Sequence, residues 1–264
     1  GGVETIVTQV NNRTPQIFSP SHGPGWETAI ALVIGICAAN MFHQGYWQRV
    51  YSCRDERTLR KAFSISAILV LPIVFIAGLF GIMAVGADTA SKPSVALFAV
   101  ILEALPWWLI LTVLVLAVAL VMSSVDSLLN GLVSSFTSDL HRMRPNVKTG
   151  NLLWWARVAT VVIAGAAMAI ATQGYSVLYL FLVADLVAAA MVVPVFLGLY
   201  LRLYSAWIAI ISAIAGLAAG IIFFPTPDFT PWLDIPKGGS LMMSFIAAFF
   251  GSTLVALALT ALTV

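Results

Sequence analysis

Charge is what this chain most lacks. Only 9% of its 264 residues are Asp, Glu, Lys or Arg, where a soluble domain carries about a quarter. Hydrophobic residues make up 61%, and the mean hydropathy is +1.00. That composition excludes a soluble globular domain. The net charge of +2 is too slight a basic excess to mark a nucleic-acid partner. Cysteine is scarce as well: Cys37 lies in an apolar run and Cys53 at a helix end. Two thiols so placed give neither a disulfide framework nor metal-ligand spacing. No Gly-x-Ser-x-Gly elbow surrounds the serines of the central apolar run, so a serine hydrolase lacks its local context, and the chain is not expected to be an enzyme. A signal-peptide pattern is absent from the first 25 residues, which are polar, with Asn11-Asn12-Arg13 and a Pro/Gly/Ser-rich run from Pro15 to Gly25. The chain opens Gly-Gly-Val instead of Met, and is expected to be a fragment that starts in a loop of a longer protein.

What is present is a series of long apolar runs. At about 20 residues per crossing they predict an all-α integral membrane protein of roughly seven helices. Residues 1–25 read as an extramembrane loop. Helices are expected over about 26–52, 59–85, 107–141, 152–173, 175–204, 206–224 and 240–264, with a short interfacial helix over 95–105. Pro72 is a candidate kink, and Pro194 lies within the helix expected over 175–204. With residues 1–25 placed outside, ten basic residues fall inside: Arg49, Arg54, Arg57, Arg60, Lys61, Arg142, Arg144, Lys148, Arg157 and Arg202. Three fall outside: Arg13, Lys92 and Lys237. The bias puts the N-terminus outside and the C-terminus in the cytoplasm of a multi-pass protein of the cell (inner or plasma) membrane. Trp26, Trp107, Trp108 and Trp232 then fall at outer interfaces.

Polar residues inside apolar helices must find partners, so each is a functional candidate. The densest group is Ser123-Ser124-Val125-Asp126-Ser127 with Asn130. At about 100° per residue, Leu120, Ser123, Ser127, Asn130 and Ser134 share one stripe, flanked by Ser124 on one side and Asp126 on the other. Two adjacent hydroxyls and a carbonyl one turn earlier offer hard oxygens to a small hard cation. Small residues of this kind also serve close helix packing, or bond back to their own helix. The second group is Asn40, Phe42, His43 and Gln44, beside an expected helix break at Gly45. Unwound backbone at that depth is tolerated where it lines a cavity, so these four line a candidate substrate path; a polar helix end with Tyr46, Trp47 and Arg49 as anchors would look similar. Asp185, deep in a helix, is a candidate gate or proton site, or the structural partner of another polar group.

Val121-Met122-Ser123-Ser124-Val125-Asp126-Ser127-Leu128-Leu129-Asn130, ending in Phe136-Thr137-Ser138-Asp139-Leu140, resembles the signature helix of the sodium:solute symporter family. Ala39-Asn40-Met41-Phe42-His43-Gln44-Gly45-Tyr46-Trp47-Gln48-Arg49 and the charged loop after it resemble the same family one helix pair earlier. The resemblance covers about residues 26–204. It implies the second half of a LeuT-like fold of two inverted five-helix repeats: residues 1–25 an external loop, 26–204 the second repeat, 205–264 two peripheral helices, and an N-terminal repeat missing from the chain. It implies a sodium site at the Leu120 carbonyl and the Ser123 and Ser124 hydroxyls, and a second ion site at Ser123, Asp126 and Ser127, although Asp126 stands where several members have Ser or Thr. Sodium would be the coupling ion and no further cofactor is expected. The solute would be a small organic molecule; His43 departs from the aromatic gate of sugar-transporting members, and Tyr46-Trp47-Gln48-Arg49 with Val192-Val193-Pro194 resembles the urea/polyamine or generic bacterial branch. A proton-coupled transporter, or a sensor on the same scaffold, is the alternative.

Overall fold

A computed structural model describes residues 3–17, 19–86, 95–144, 149–201 and 204–263. Of the described residues 83% are helical, and among them there is no strand, only an isolated bridge between Pro225 and Pro231. The helices in chain order are α1 (Val3–Arg13), α2 (Gly23–Phe42), α3 (Gln44–Ser52), α4 (Glu56–Gly86), α5 (Ala96–Ala104), α6 (Trp107–Met143), α7 (Thr149–Ala171), α8 (Val177–Tyr200), α9 (Ala206–Phe223) and α10 (Leu241–Thr263). Seven of these, all but α1, α3 and α5, are long and apolar enough to cross a bilayer. The protein is an all-α, multi-pass membrane protein. The expected loop at residues 1–25 contains α1, whose apolar Ile6 and Val10 share one face and pack against Gly86 of α4. Lys92, Lys148 and Arg202 of the charge count lie outside the described residues.

The local chemistry accounts for the boundaries. Pro24 enters the first turn of α2, where a missing N–H costs nothing. The Ser176 hydroxyl accepts from the Tyr179 N–H at 3.1 Å, and that of Ser205 from the Ile208 N–H at 3.4 Å, capping α8 and α9. The Asp55 carboxylate accepts from the Thr58 N–H at 2.7 Å and caps α4. Pro72 and Pro194 lie inside helices that continue past them, as membrane helices allow. At about 1.5 Å per residue, α6 with its 37 residues is longer than the hydrocarbon core is thick.

The described chain divides into two compact units. One comprises α1 and α3–α7. In it α1 packs on the end of α4, where the Arg13 guanidinium donates to the Val85 carbonyl at 3.2 Å and satisfies a terminal acceptor. α3 packs on α6, and α6 on α7.

The second unit comprises α2, α8, α9 and α10. Its core joins Ala31 and Ala38 of α2, Leu182, Leu186, Ala189 and Ala190 of α8, and Phe245 and Ala248 of α10. Between α9 and α10 the backbones nearly touch. A Cβ on Gly216 would fall 2.5 Å from the Ser252 Cβ and 2.6 Å from the Ala248 carbonyl, and one on Gly220 would fall 2.8 Å from the Ala248 Cβ. Ser212, Gly216 and Gly220 repeat every four residues, facing Ser244, Ala248, Ser252 and Ala256 at the same spacing. Between helices in lipid, close packing of this kind replaces the hydrophobic effect as the driving force. The Ser244 hydroxyl donates to the Gly220 carbonyl at 2.7 Å, a bond across helices that lipid cannot offer.

Candidate functional site

The central polar stretch lies on α6 with its side chains exposed. The Ser124 hydroxyl donates to the Leu120 carbonyl and that of Ser127 to the Ser123 carbonyl, each at 2.9 Å. Both serines bond back one turn, as small polar residues in apolar helices do. The bond uses each hydroxyl's one proton and leaves its lone pairs free to accept. The Leu120 and Ser124 oxygens therefore sit adjacent on one edge of α6, the carbonyl accepting from the helix N–H and the hydroxyl, and the Ser124 oxygen keeping its lone pairs, with Ser123 beside them in sequence.

One turn further along α6, Asp126, Ser127 and Asn130 meet Gly45, Gln48, Arg49 and Ser52 of α3 and the adjoining Cys53 around an open cavity of about 560 Å³. Gly131 of α6 faces Gln44 of α3 where the two helices pack. It is buried, and a Cβ there would lie 3.7 Å from the Gln44 side chain. The Arg49 guanidinium lies 5.9 Å from the centre of the Tyr46 ring, a cation–π contact within α3. Among the described residues the Asp126 carboxylate has no ion-pair partner.

The expected break is real, but it falls at His43, two residues before Gly45. His43 has φ −73° and ψ 103°, an extended backbone, and its N–H reaches the Asn40 carbonyl at 3.2 Å. This closes a short turn and ends the α2 ladder. Gly45 is already inside α3. The four expected path residues are divided by this break. Asn40 is exposed on the last turn of α2, and the Phe42 ring packs against Phe196 at 6.2 Å between centroids, in the second unit. Gln44 belongs to the first unit and packs against Gly131.

Asp185 lies on α8 in the second unit and is 1% exposed. Its Oδ2 has no hydrogen-bond partner among the described residues. Gly35 of α2 makes the room for it: a Cβ there would fall 3.0 Å from that oxygen and 2.7 Å from the Phe245 ring. A buried carboxyl without a partner is costly, which marks the α2–α8 contact as more than packing.

Sequence reasoning left two features out. The sequence marks Tyr46, Trp47 and Arg49 as anchors of a polar helix end, and the structure sets Gln48, Arg49 and Ser52 around one cavity with Asp126. The pairing of Gly35 with Asp185 needed the fold, because 150 residues of chain separate them.

Comparisons with known proteins agree with the α6 and α3 motifs. The model of the sodium:solute symporter family matches residues 1–216. A spermidine transporter of Candida albicans is 25% identical over 229 residues, a stretch that takes in 83% of this chain and 42% of the relative. The chain thus spans less than half the length of that relative. No solved structure matches. With the family match running through both units, from α1 into α9, the chain belongs to the sodium:solute symporter family.

Proposed function

We propose that this chain is part of a secondary transporter that moves a small organic solute with sodium. The observation that carries the reading is the pair of adjacent oxygens on α6, the Leu120 carbonyl and the Ser124 hydroxyl, 2.9 Å apart on a membrane-spanning helix. With Ser123 they form one wall of a sodium site made of neutral oxygens. Such ligands hold a hard cation reversibly, which a transport cycle needs. The other wall lies on a first repeat outside this chain. Asp126 and Ser127 form a second ion site or contribute to solute contact. Asn40, Phe42, His43 and Gln44 contribute to the solute's path, and Asp185 acts as a gate or proton site between α2 and α8.

The solute we favour is an organic amine, on the strength of the fungal relative, whose name records spermidine. Residues 26–204 form the second repeat and 205–264 two peripheral helices, with the N-terminus of the chain outside and its C-terminus in the cytoplasm. The inward sodium gradient drives uptake.

Proteoliposomes holding the full-length protein test this. An imposed inward sodium gradient should drive accumulation of labelled spermidine, and replacing sodium by potassium should abolish it. Uptake that follows a proton gradient and ignores sodium would overturn the coupling assignment.

A further inference from the structure

The cavity between α3 and α6 has a chemical bias that the sodium site does not explain. We propose that it is an ammonium subsite, with Asp126 as its anionic anchor and neutral oxygens of Gln48, Ser52, Ser127 and Asn130 as further acceptors. This deepens the transport reading and rests on it.

The bias comes from where the protons go. The Ser52 hydroxyl donates to the Gln48 carbonyl at 2.7 Å, and the Ser127 hydroxyl to the Ser123 carbonyl at 2.9 Å. Both serines have spent their donors on their own helices, so toward the cavity they offer lone pairs alone. Asp126, when ionised, is acceptor-only. Gln48 and Asn130 each add an amide, whose oxygen accepts and whose NH2 donates. Arg49 is the one cationic side chain on this cavity's wall, and it is stacked toward Tyr46.

A primary ammonium matches such a wall: it carries three donors and no acceptor. An anion would face the Asp126 carboxylate. A neutral amide or polyol would fill the space but would gain no ion pair with Asp126. The cavity of about 560 Å³ falls within the roughly 300–1,000 Å³ that small-molecule sites occupy. The site is also placed for transport, because α3 follows directly on the break at His43.

Equilibrium binding of labelled spermidine to the full-length protein in detergent tests the assignment without any gradient. At saturating sodium, Asp126→Asn should weaken spermidine binding at least about tenfold, the scale of a hydrogen bond to a charged group. Asp126→Glu should recover part of it. Arg49→Gln, which removes a like charge from the wall, should tighten binding. Unchanged spermidine affinity in Asp126→Asn would overturn the proposal. So would a loss confined to apparent sodium affinity, which would make Asp126 an ion ligand only. Weaker spermidine binding in Arg49→Gln would also overturn it, because removing a like charge from the wall of an ammonium site cannot weaken binding of a polycation. If the wild-type protein binds neither spermidine nor methylammonium, the proposal fails. If it binds them but a sodium gradient drives no uptake, the coupling fails and the subsite stands.

Discussion

The Ser124 hydroxyl rests on the Leu120 carbonyl one turn before it, 2.9 Å away on α6. Taken alone, this is a serine satisfying itself in an apolar helix. On a helix that spans the membrane and carries Ser123, Asp126, Ser127 and Asn130 on neighbouring turns, the same two oxygens are the ones the proposed sodium site would use, once the hydroxyl turns its proton aside. The hydroxyl's proton is held by the helix, which turns its lone pairs to the outside. Replacing Ser123 should weaken sodium binding as well, although its hydroxyl makes no such bond among the described contacts; a wild-type sodium requirement in Ser123→Ala, measured by uptake against sodium concentration, would confine the site to Leu120 and Ser124.

The contact of α9 with α10 should be the least tolerant of added volume. Gly216→Val places atoms where the Ala248 carbonyl and Ser252 lie, and backbone cannot step aside as a side chain can. Overpacking of this kind costs about 1–3 kcal/mol, read as a lower melting temperature in detergent. Gly165→Ala on α7 is the control, since nothing lies within 4 Å of a Cβ there. It should be neutral or stabilising by about 0.5–1 kcal/mol.

Gly35 should behave differently from other glycines of its kind. Gly35→Val meets both the Phe245 ring and the Asp185 carboxyl, so it should loosen the α2–α8 contact and lower the melting temperature. Asp185→Asn keeps the shape and should leave the fold intact while altering transport. A wild-type transport profile in a stably folded Asp185→Asn would remove Asp185 from the transport cycle.

The start of α4 should be sensitive to acid. The Thr58 N–H bond to Asp55 holds that carboxyl below its ordinary value of 3.8. A lowered value in the folded state means the cap is fully present above about pH 4 and is lost as pH falls through the lowered value. The protection factor of the Thr58 amide, taken against its intrinsic rate at each pH, should therefore fall in acid. Asp55→Asn still caps but should show no such pH dependence; the same acid sensitivity in that variant would place the titrating group elsewhere.

Much of the fold was legible because hydropathy in a bilayer is a strong signal. Spans such as Trp107 to Met143 and Leu241 to Thr263 follow directly from apolar run length, and α5 was visible as a short apolar segment. The helix at Val3–Arg13 was not. Pro15, Asn11 and Asn12 suggested a loop, and only its packing against Gly86 and Val85 explains why this short segment is helical. The change from an apolar segment to a polar, Gly-containing one points to a break at Gly45. It falls at His43, which takes an extended backbone open to any residue. In the candidate site, the α6 stripe could be read from periodicity. The cavity with α3 could not, because it depends on how two helices far apart in sequence pack together. Asp185 stood out as a charge in an apolar run, while its lack of a partner is a property of the packed α2–α8–α10 core.

The central claim is that the Leu120–Ser124 edge of α6 binds sodium, and the most direct measurement is the sodium affinity of full-length Ser124→Ala. Sodium-dependent solute uptake, or sodium-induced tryptophan fluorescence change, should shift to at least about tenfold higher sodium, as expected for losing a ligand to a charged group, while the melting temperature stays near wild type. A sodium affinity equal to that of the wild-type protein would show that the Ser124 hydroxyl serves its own helix and nothing more.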